Sequence, residues 1–244
     1  MLSKLDGEFS YVKPINNWAA KNLLRSIWKF GQDLKITDVG KGLMQFKFSM
    51  ESQLVWVLNN GPWSFDNHIL LFRRSKKGMT AFSVDFEIIP IWVQVWGLTF
   101  DLINEDVGKD IGESIRRVLE VDCKAIASDQ ARFLCIRVEL PLDKPIQRRA
   151  PMLSLKGDKV WVEFNYERLL GMCYNCGKLG HEERDCLLPK TSKHSERQYG
   201  DWLRAGNQKV EKLKVKKYNP PTGNQEGASG QSKETSKTLQ HHDT

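Results

Sequence analysis

Residues 16–30, NNWAAKNLLRSIWKF, open the stretch that decides the fold. Ala20, Leu23, Leu24, Ile27 and Trp28 follow the i, i+3, i+4, i+7, i+8 spacing of one helix face. Gly31 follows where a C-terminal cap is expected. Two strands are predicted next, at about 33–38 (DLKITD) and 42–48 (GLMQFKF), joined by the turn Val39-Gly40-Lys41-Gly42. A second helix is predicted over 50–59, with Met50, Leu54, Val57 and Leu58 inward, Ser49 as its cap and Gly61-Pro62 as its stop. HILLFRR (68–74) reads as a strand. A short strand from Phe9 to Val12, clipped at its start, would complete a βαββαβ unit, the split arrangement of ferredoxin-like and RRM-like domains. The expectation is an α+β protein whose first domain is residues 1–78.

Working outward, residues 79–168 read as a second α+β region of βαββ type. IWVQVWGL (91–98) alternates Ile91, Val93 and Val95 with Trp92, Gln94 and Trp96, as a strand covered on at least one face does. Asn104 caps a helix with Val107, Ile111, Ile115, Val118 and Leu119 inward. Strands at 121–127 and 131–140 follow, then a basic connector (Gln147 to Ala150) and a strand at 159–167. The order echoes the first half without letter-level repetition. Residues 191–244 are polar apart from GDWLRAG (200–206), and from 207 onward almost no apolar anchors remain. A segment of that composition cannot offset its ordering entropy, so a disordered tail is expected.

The chemistry concentrates in CYNCGKLGHEERDC (173–186), with spacing C-x2-C-x4-H-x4-C. Zn²⁺ takes four N or S ligands in a tetrahedron at roughly 2.0–2.3 Å. A two-residue gap aims the sulfurs of Cys173 and Cys176 at one point. Gly177 and Gly180 permit the backbone angles that bring His181 and then Cys186 to the other corners. Four protein ligands leave no open position, so one structural zinc is expected over residues 169–190, and metal binding is expected to supply most of the folding energy. A thioredoxin-like reading of Cys173 and Cys176 leaves His181 and Cys186 unexplained.

The chain has 244 residues, 37 Lys and Arg against 30 Asp and Glu, and a net charge of +7. A basic balance favours acidic partners, nucleic acid first. Tyr174 reads as an exposed ring for stacking on an unpaired base, with Leu179 and Met172 as walls. Lys178, Arg184 and Lys190 read as phosphate contacts. Glu182, Glu183 and Asp185 oppose them, so the knuckle needs help from Lys193, Arg197, the lysines at 209–217 or the larger domain. Arg73, Arg74, Lys76 and Lys77 form a basic corner. Trp92 and Trp96 read either as core or as a stacking platform of the RRM kind. No phosphate loop, nucleophile elbow or H-E-x-x-H motif is present, so no enzyme is expected. The N-terminal residues show no secretory signal and no apolar run reaches roughly 20 residues, so an intracellular, nuclear protein without a membrane or small-molecule partner is expected.

CYNCGKLGHEERDC resembles the knuckles of retroviral and retrotransposon gag proteins. With GPWSFDNHILLF (61–72), PIWVQVWGL (90–98), YERL (166–169) and YGDWLRA (199–205), the chain resembles the plant family called domain of unknown function 4283, over roughly residues 10 to 206. The resemblance implies zinc binding, binding of single-stranded RNA or DNA, retrotransposon ancestry, and an RRM-like or gag-like domain ahead of the knuckle. Leu170 and Met172 replace the usual Pro and Phe before the first Cys, and Thr99 a usual Pro. In gag-like knuckles the ring after the first Cys and an apolar residue after the His pinch a guanine. Tyr174 fits that pattern and Glu182 does not. A protein-interaction module that uses the knuckle and GDWLRAG, or self-association, is the alternative reading.

Overall fold

A computed structural model describes residues 5–10, 16–40, 42–76, 78–80, 83–123, 132–154, 157–190 and 197–206. The tail from 207 onward, including the lysines at 209–217, lies outside the described residues, as do Lys77 and Lys193. Two five-stranded antiparallel sheets carry the fold.

The first sheet is built from β1 (Leu5–Ser10), β2 (Leu34–Gly40), β3 (Leu43–Phe48), β4 (Trp63–Phe65) and β5 (His68–Arg74), in the order β2-β3-β1-β5-β4. Helices α1 (Asn17–Trp28) and α2 (Glu51–Asn59) fall after β1 and β3. This is the βαββαβ order predicted from the sequence, with β4 added as an edge. The strand β1 lies earlier than Phe9 to Val12, and pairs with β3 and β5. The added β4 forms a hairpin with β5 through Asp66 and Asn67, both at positive φ (48° and 61°). Asp and Asn tolerate that region best among residues with a side chain.

Several local expectations change. Helix α1 buries Ala20, Leu24 and Trp28, while Leu23 and Ile27 stay exposed. The contacting stripe is therefore i, i+4, i+8, narrower than the apolar face. The helix ends in left-handed Lys29 (φ 54°), and Gly31 instead starts a 3₁₀ turn. Asn16 caps its start. Ser49 does not cap α2. Its backbone N–H donates to the Asp33 carbonyl at 3.0 Å, and Met50 takes the cap position, half exposed. Gln53 replaces Met50 on the buried side. Trp28 anchors the core, with Phe30, Phe46, Phe48, Trp63 and Phe72 at ring distances of 5.5–6.3 Å.

The second sheet contains β6 (Ile88–Trp96), β7 (Val118–Val121), β8 (Leu134–Pro141), β9 (Arg149–Leu153) and β10 (Lys159–Tyr166), in the order β7-β8-β6-β10-β9. It repeats the first topology strand for strand. Helix α3 (Glu105–Ile115) takes the position of α1, and Asn104 caps it as predicted. No helix joins β8 to β9. The basic connector is partly strand: Arg149 and Ala150 begin β9, an edge strand that tolerates Pro151. The helix stops at Ile115, so Val118 and Leu119 belong to β7. Predicted strand positions 124–127 and 131 lie outside the described residues. Ile91, Val93 and Val95 are fully buried, whereas Trp92 and Trp96 are half-buried on the opposite face.

Two arginines tie the halves together. Arg137 on β8 is 6% exposed and donates to the Leu58 carbonyl at 2.9 Å. Arg168 donates to the Asn60 carbonyl at 2.7 Å. Both cations therefore sit at the C-terminal end of α2, where carbonyls lack helical partners and the helix dipole is negative. No described helix is long and apolar enough to cross a membrane.

Helix α3 lies close on β7 and β8 because Gly108 and Gly112 face them. A Cβ at Gly112 would meet Val118 Cγ2 at 2.4 Å and Ile136 Cδ1 at 3.3 Å. Ala is the better helix former by about 1 kcal/mol. Gly112→Ala is nonetheless expected to destabilise the fold by about 1–3 kcal/mol, the usual penalty of overpacking. A lower urea midpoint at unchanged slope checks this.

Candidate metal centre and nucleic-acid interface

The chain leaves β10 through Glu167 and left-handed Arg168 (φ 52°), buries Leu169, and turns at Gly171 (φ 62°) into a small hairpin. Met172 and Leu179 bridge the hairpin, Cys173 N–H donates to the Lys178 carbonyl at 2.9 Å, and Gly177 N–H to the Cys173 carbonyl at 2.8 Å. Gly177 (φ 73°) and Gly180 (φ 91°) hold the angles that the sequence requires of them. Cys173 and Cys176 thus lie on one tight turn. A 3₁₀ turn, Glu183–Asp185, then carries the chain to Cys186.

The ligand atoms of Cys173, Cys176, His181 and Cys186 all lie within 4.8 Å of one another. Cys176 Sγ and His181 Nε2 stand 3.3 Å apart. A tetrahedron of Zn–S and Zn–N bonds has edges of about 3.3–3.8 Å. The four residues are therefore arranged to hold one zinc ion, with His181 presenting Nε2. Burial pushes the Cys173 thiol up to about 11. The Asn175 amide, and then the His181 ring, bring Cys186 down to about 6. Asn175 donates to Cys186 Sγ at 3.3 Å and to the Pro189 carbonyl at 3.1 Å, tying the last ligand to the chain beyond it. The sequence reading missed Asn175, which looks like any turn residue.

The knuckle does not stand apart from the larger fold. Met172 and Leu179 are 6% exposed each and belong to the core of the second sheet, with Ile146 and Leu203. Their predicted role as walls of a base cleft is corrected: the apolar side of the hairpin is committed to the core. Residues 197–206 strap the same side. Ala205 N–H donates to the Tyr166 carbonyl at 2.9 Å, and Arg197 grips Glu183 through two bonds of 2.8 and 3.1 Å. The Tyr199 ring lies where a Cβ on Gly177 would be, at 2.4 Å. Gly177 thus serves close approach as well as backbone angle.

Tyr174 is also corrected. It is half-buried against the core, and its hydroxyl donates to Asp201 Oδ1. Burial first, and then Asp201, raises its pKa. Lys178 is half-buried, while Arg184 and Lys190 are exposed. Arg184 pairs with Glu182 at 2.9 Å, so its charge is partly spoken for. The basic corner of the first sheet is similarly engaged: Arg74 pairs with Glu51 at 2.6 Å and Arg73 bonds the Asp85 carbonyl. Beside His181 a cavity of about 520 Å³ opens between β5 and the knuckle, lined by Ile69, Leu71, Phe86, Leu170 and Glu182.

Comparison with known proteins agrees with this geometry. Residues 142–188 match a family model described as Zinc knuckle. Residues 7–80 match one described as Domain of unknown function (DUF4283). The chain is thus similar to a DUF4283 domain over residues 7–80 and to a zinc knuckle over residues 142–188. The knuckle match begins at Leu142, well ahead of the first ligand, in keeping with Ile146 N–H donating to the Gly177 carbonyl at 2.9 Å. An uncharacterized Arabidopsis thaliana protein is 22% identical over 138 residues, covering 57% of this chain and 43% of that protein. The chain thus spans less than half the length of that relative. No solved structure matches.

The five cysteines differ in environment. Cys123 is exposed, and Cys135 is buried, its thiol pushed up to about 12 by burial and then by Glu167 and Asp122. Zinc-loaded protein is expected to yield one accessible thiol, that of Cys123, whose pKa is raised by desolvation and then by Glu105, so that it reacts faster as pH rises. Chelation is expected to release three more, and only denaturation the last. A timed thiol count with an aromatic disulfide reagent checks the order.

Proposed function

We propose that this protein binds single-stranded nucleic acid, RNA or DNA, in a zinc-dependent manner, as a gag-like binding protein with no catalytic role. The observation that carries the reading is the closed Cys3His cluster, whose four ligand atoms lie within 4.8 Å of one another and leave no open position for catalysis. The net charge of +7 and the exposed Lys190 just beyond the cluster support a polyanionic ligand. Lys178 contributes from the hairpin edge. Zinc acts here by holding the hairpin in shape.

A second reading has its own support. Leu187 is wholly exposed and Leu188 is 55% exposed, next to the acidic Glu182 and Asp185. That mixture suits a protein partner, and a complex that survives nuclease would favour it.

The deciding measurement is fluorescence anisotropy of the zinc-loaded chain with labelled single-stranded RNA and DNA across a salt series. Affinity is expected to fall steeply with salt, since each neutralised phosphate on a single strand contributes a slope of about −0.7. Cys176→Ser is expected to lower the zinc content from one per chain and to weaken binding about tenfold or more. No binding by the wild-type chain at low salt, or full binding by Cys176→Ser, would refute the reading.

A further inference from the structure

Each sheet turns one face into an apolar core. The other face of the second sheet carries an aromatic and basic surface that the zinc cluster does not use. On β10, Val162, Phe164 and Tyr166 point into the core. Lys159, Trp161, Glu163 and Asn165 therefore share the opposite face. The register places neighbours on the same face: Glu163 stands opposite Trp96 of β6, and Asn165 opposite Gln94. On the other side, Trp161 stands opposite Pro151 of β9, and Glu163 opposite Arg149.

Part of this face is already engaged. Arg137 reaches α2, Gln94 donates to Glu167 at 3.0 Å, and Asn165 donates to the Trp202 carbonyl. The end around Trp161 is not so occupied. Trp161 is 48% exposed. The Arg149 guanidinium lies 4.5 Å from its ring centroid and the Lys159 ammonium 5.7 Å. Trp96 stacks on Phe133 at 4.6 Å with an interplanar angle of 36°. None of these three rings belongs to either buried core cluster. Arg132, next to Phe133, is exposed.

We infer that this end of the second sheet is a platform for single-stranded nucleic acid, with Trp161 stacking on an unpaired base and Arg149 and Lys159 meeting phosphates. The argument is one of complementarity. An unpaired strand presents flat rings linked by negative charge. Around Trp161 the surface presents flat rings interleaved with two cations, Arg149 and Lys159, against one carboxylate, Glu163, while Glu139 and Glu167 share the face further from that ring. A guanidinium held over an indole keeps its charge and its outer N–H edge, so it can serve the ring and a phosphate together. In the zinc knuckle, by contrast, Met172 and Leu179 are buried in the core and Tyr174 packs against it. The inference rests on the nucleic-acid reading above and says where on the molecule binding energy arises.

The test uses the full zinc-loaded chain and fluorescein-labelled oligo(U) and oligo(dT) of about 12 nucleotides, with Trp161→Ala and the double variant Arg149→Ala/Lys159→Ala. Stacking on one base is lost in Trp161→Ala, so affinity is expected to fall about fivefold or more at fixed salt. The double variant is expected to flatten the salt slope by about 1.4, two phosphates' worth. Zinc content and thermal midpoint report whether each variant folds. Should Trp161→Ala unfold, Trp161→Phe and Trp161→Leu replace it: the ring-bearing variant is expected to bind better than the aliphatic one. Wild-type binding with affinity and slope unchanged in the ring and charge variants overturns the platform and leaves the zinc-dependent reading standing. Absence of binding by the wild-type chain overturns both. Binding to a protein partner that is lost in Trp161→Ala, with nucleic-acid affinity untouched, also overturns the platform.

Discussion

The burial of Met172 and Leu179 beneath the second sheet is the contact on which the C-terminal half depends. A ferredoxin-like sheet hides one face, and in the first half two helices do so, α1 against β2 and α2 against β1 and β3. The second half has the same strand order, and among its described residues the helix that covers the sheet is α3, packed on β7 and β8. The remaining apolar face is closed by Ile146, Leu169, Met172, Leu179 and Leu203. A hairpin and a strap thus do what a second helix does elsewhere. Burying a Leu or Met side chain stabilises by about 1.5–3 kcal/mol, but only if the backbone that carries it holds still. Four ligands on one ion supply that constraint, because ordering so short a segment otherwise costs more than its few contacts return.

This coupling redefines the zinc site. A free-standing knuckle has two faces to offer a ligand. Here Tyr174 bonds Asp201, Tyr199 covers Gly177, and Arg197 holds Glu183, so one of those faces is internal. The strap and the knuckle are mutually dependent: Leu203 needs the knuckle to complete its pocket, and the knuckle's bare glycine turn needs Tyr199 to shield it. The apolar and aromatic members of the motif serve cohesion, and its charged members remain at the surface.

Much of this was legible in the sequence, and the exceptions have physical causes. Ligand spacing is a local constraint, so Cys173, Cys176, His181 and Cys186 could be read without knowing the fold. The strand–helix order of both halves followed from hydrophobic periods of 3.6 and 2, which also anticipated that the second half echoes the first. The burial of Leu179 and the tether on Tyr174 could not be read that way, since Leu179 packs into the core of another layer and Tyr174 bonds Asp201, distant in sequence. Two short edge strands were missed for different reasons. Trp63–Phe65 has only three residues, and Arg149–Leu153 contains a proline that argues against a strand unless it lies at an edge. GDWLRAG was visible as an apolar cluster in a polar region, but its destination was not, because nothing local pairs Ala205 with Tyr166.

Charge then separates the tasks of the two surfaces. Around the zinc, three thiolates outweigh the ion by one charge, and Glu182, Glu183 and Asp185 add to it, so the immediate field opposes a phosphate. Two of those carboxylates are quenched by Arg184 and Arg197, which reduces repulsion but also uses up the cations that the motif would otherwise present. On the far side of the sheet, at the end around Trp161, the balance reverses. Arg149 and Lys159 flank an indole and have no ion pair among the described residues, so their attraction for a polyanion is not spent internally. The strand β10 links the two places directly: its inward residues Phe164 and Tyr166 lie in the core that the knuckle closes, and its outward residue Trp161 stands on the open face. On the proposed reading, zinc matters to nucleic-acid binding without touching the nucleic acid, by fixing the strand whose other side carries Trp161.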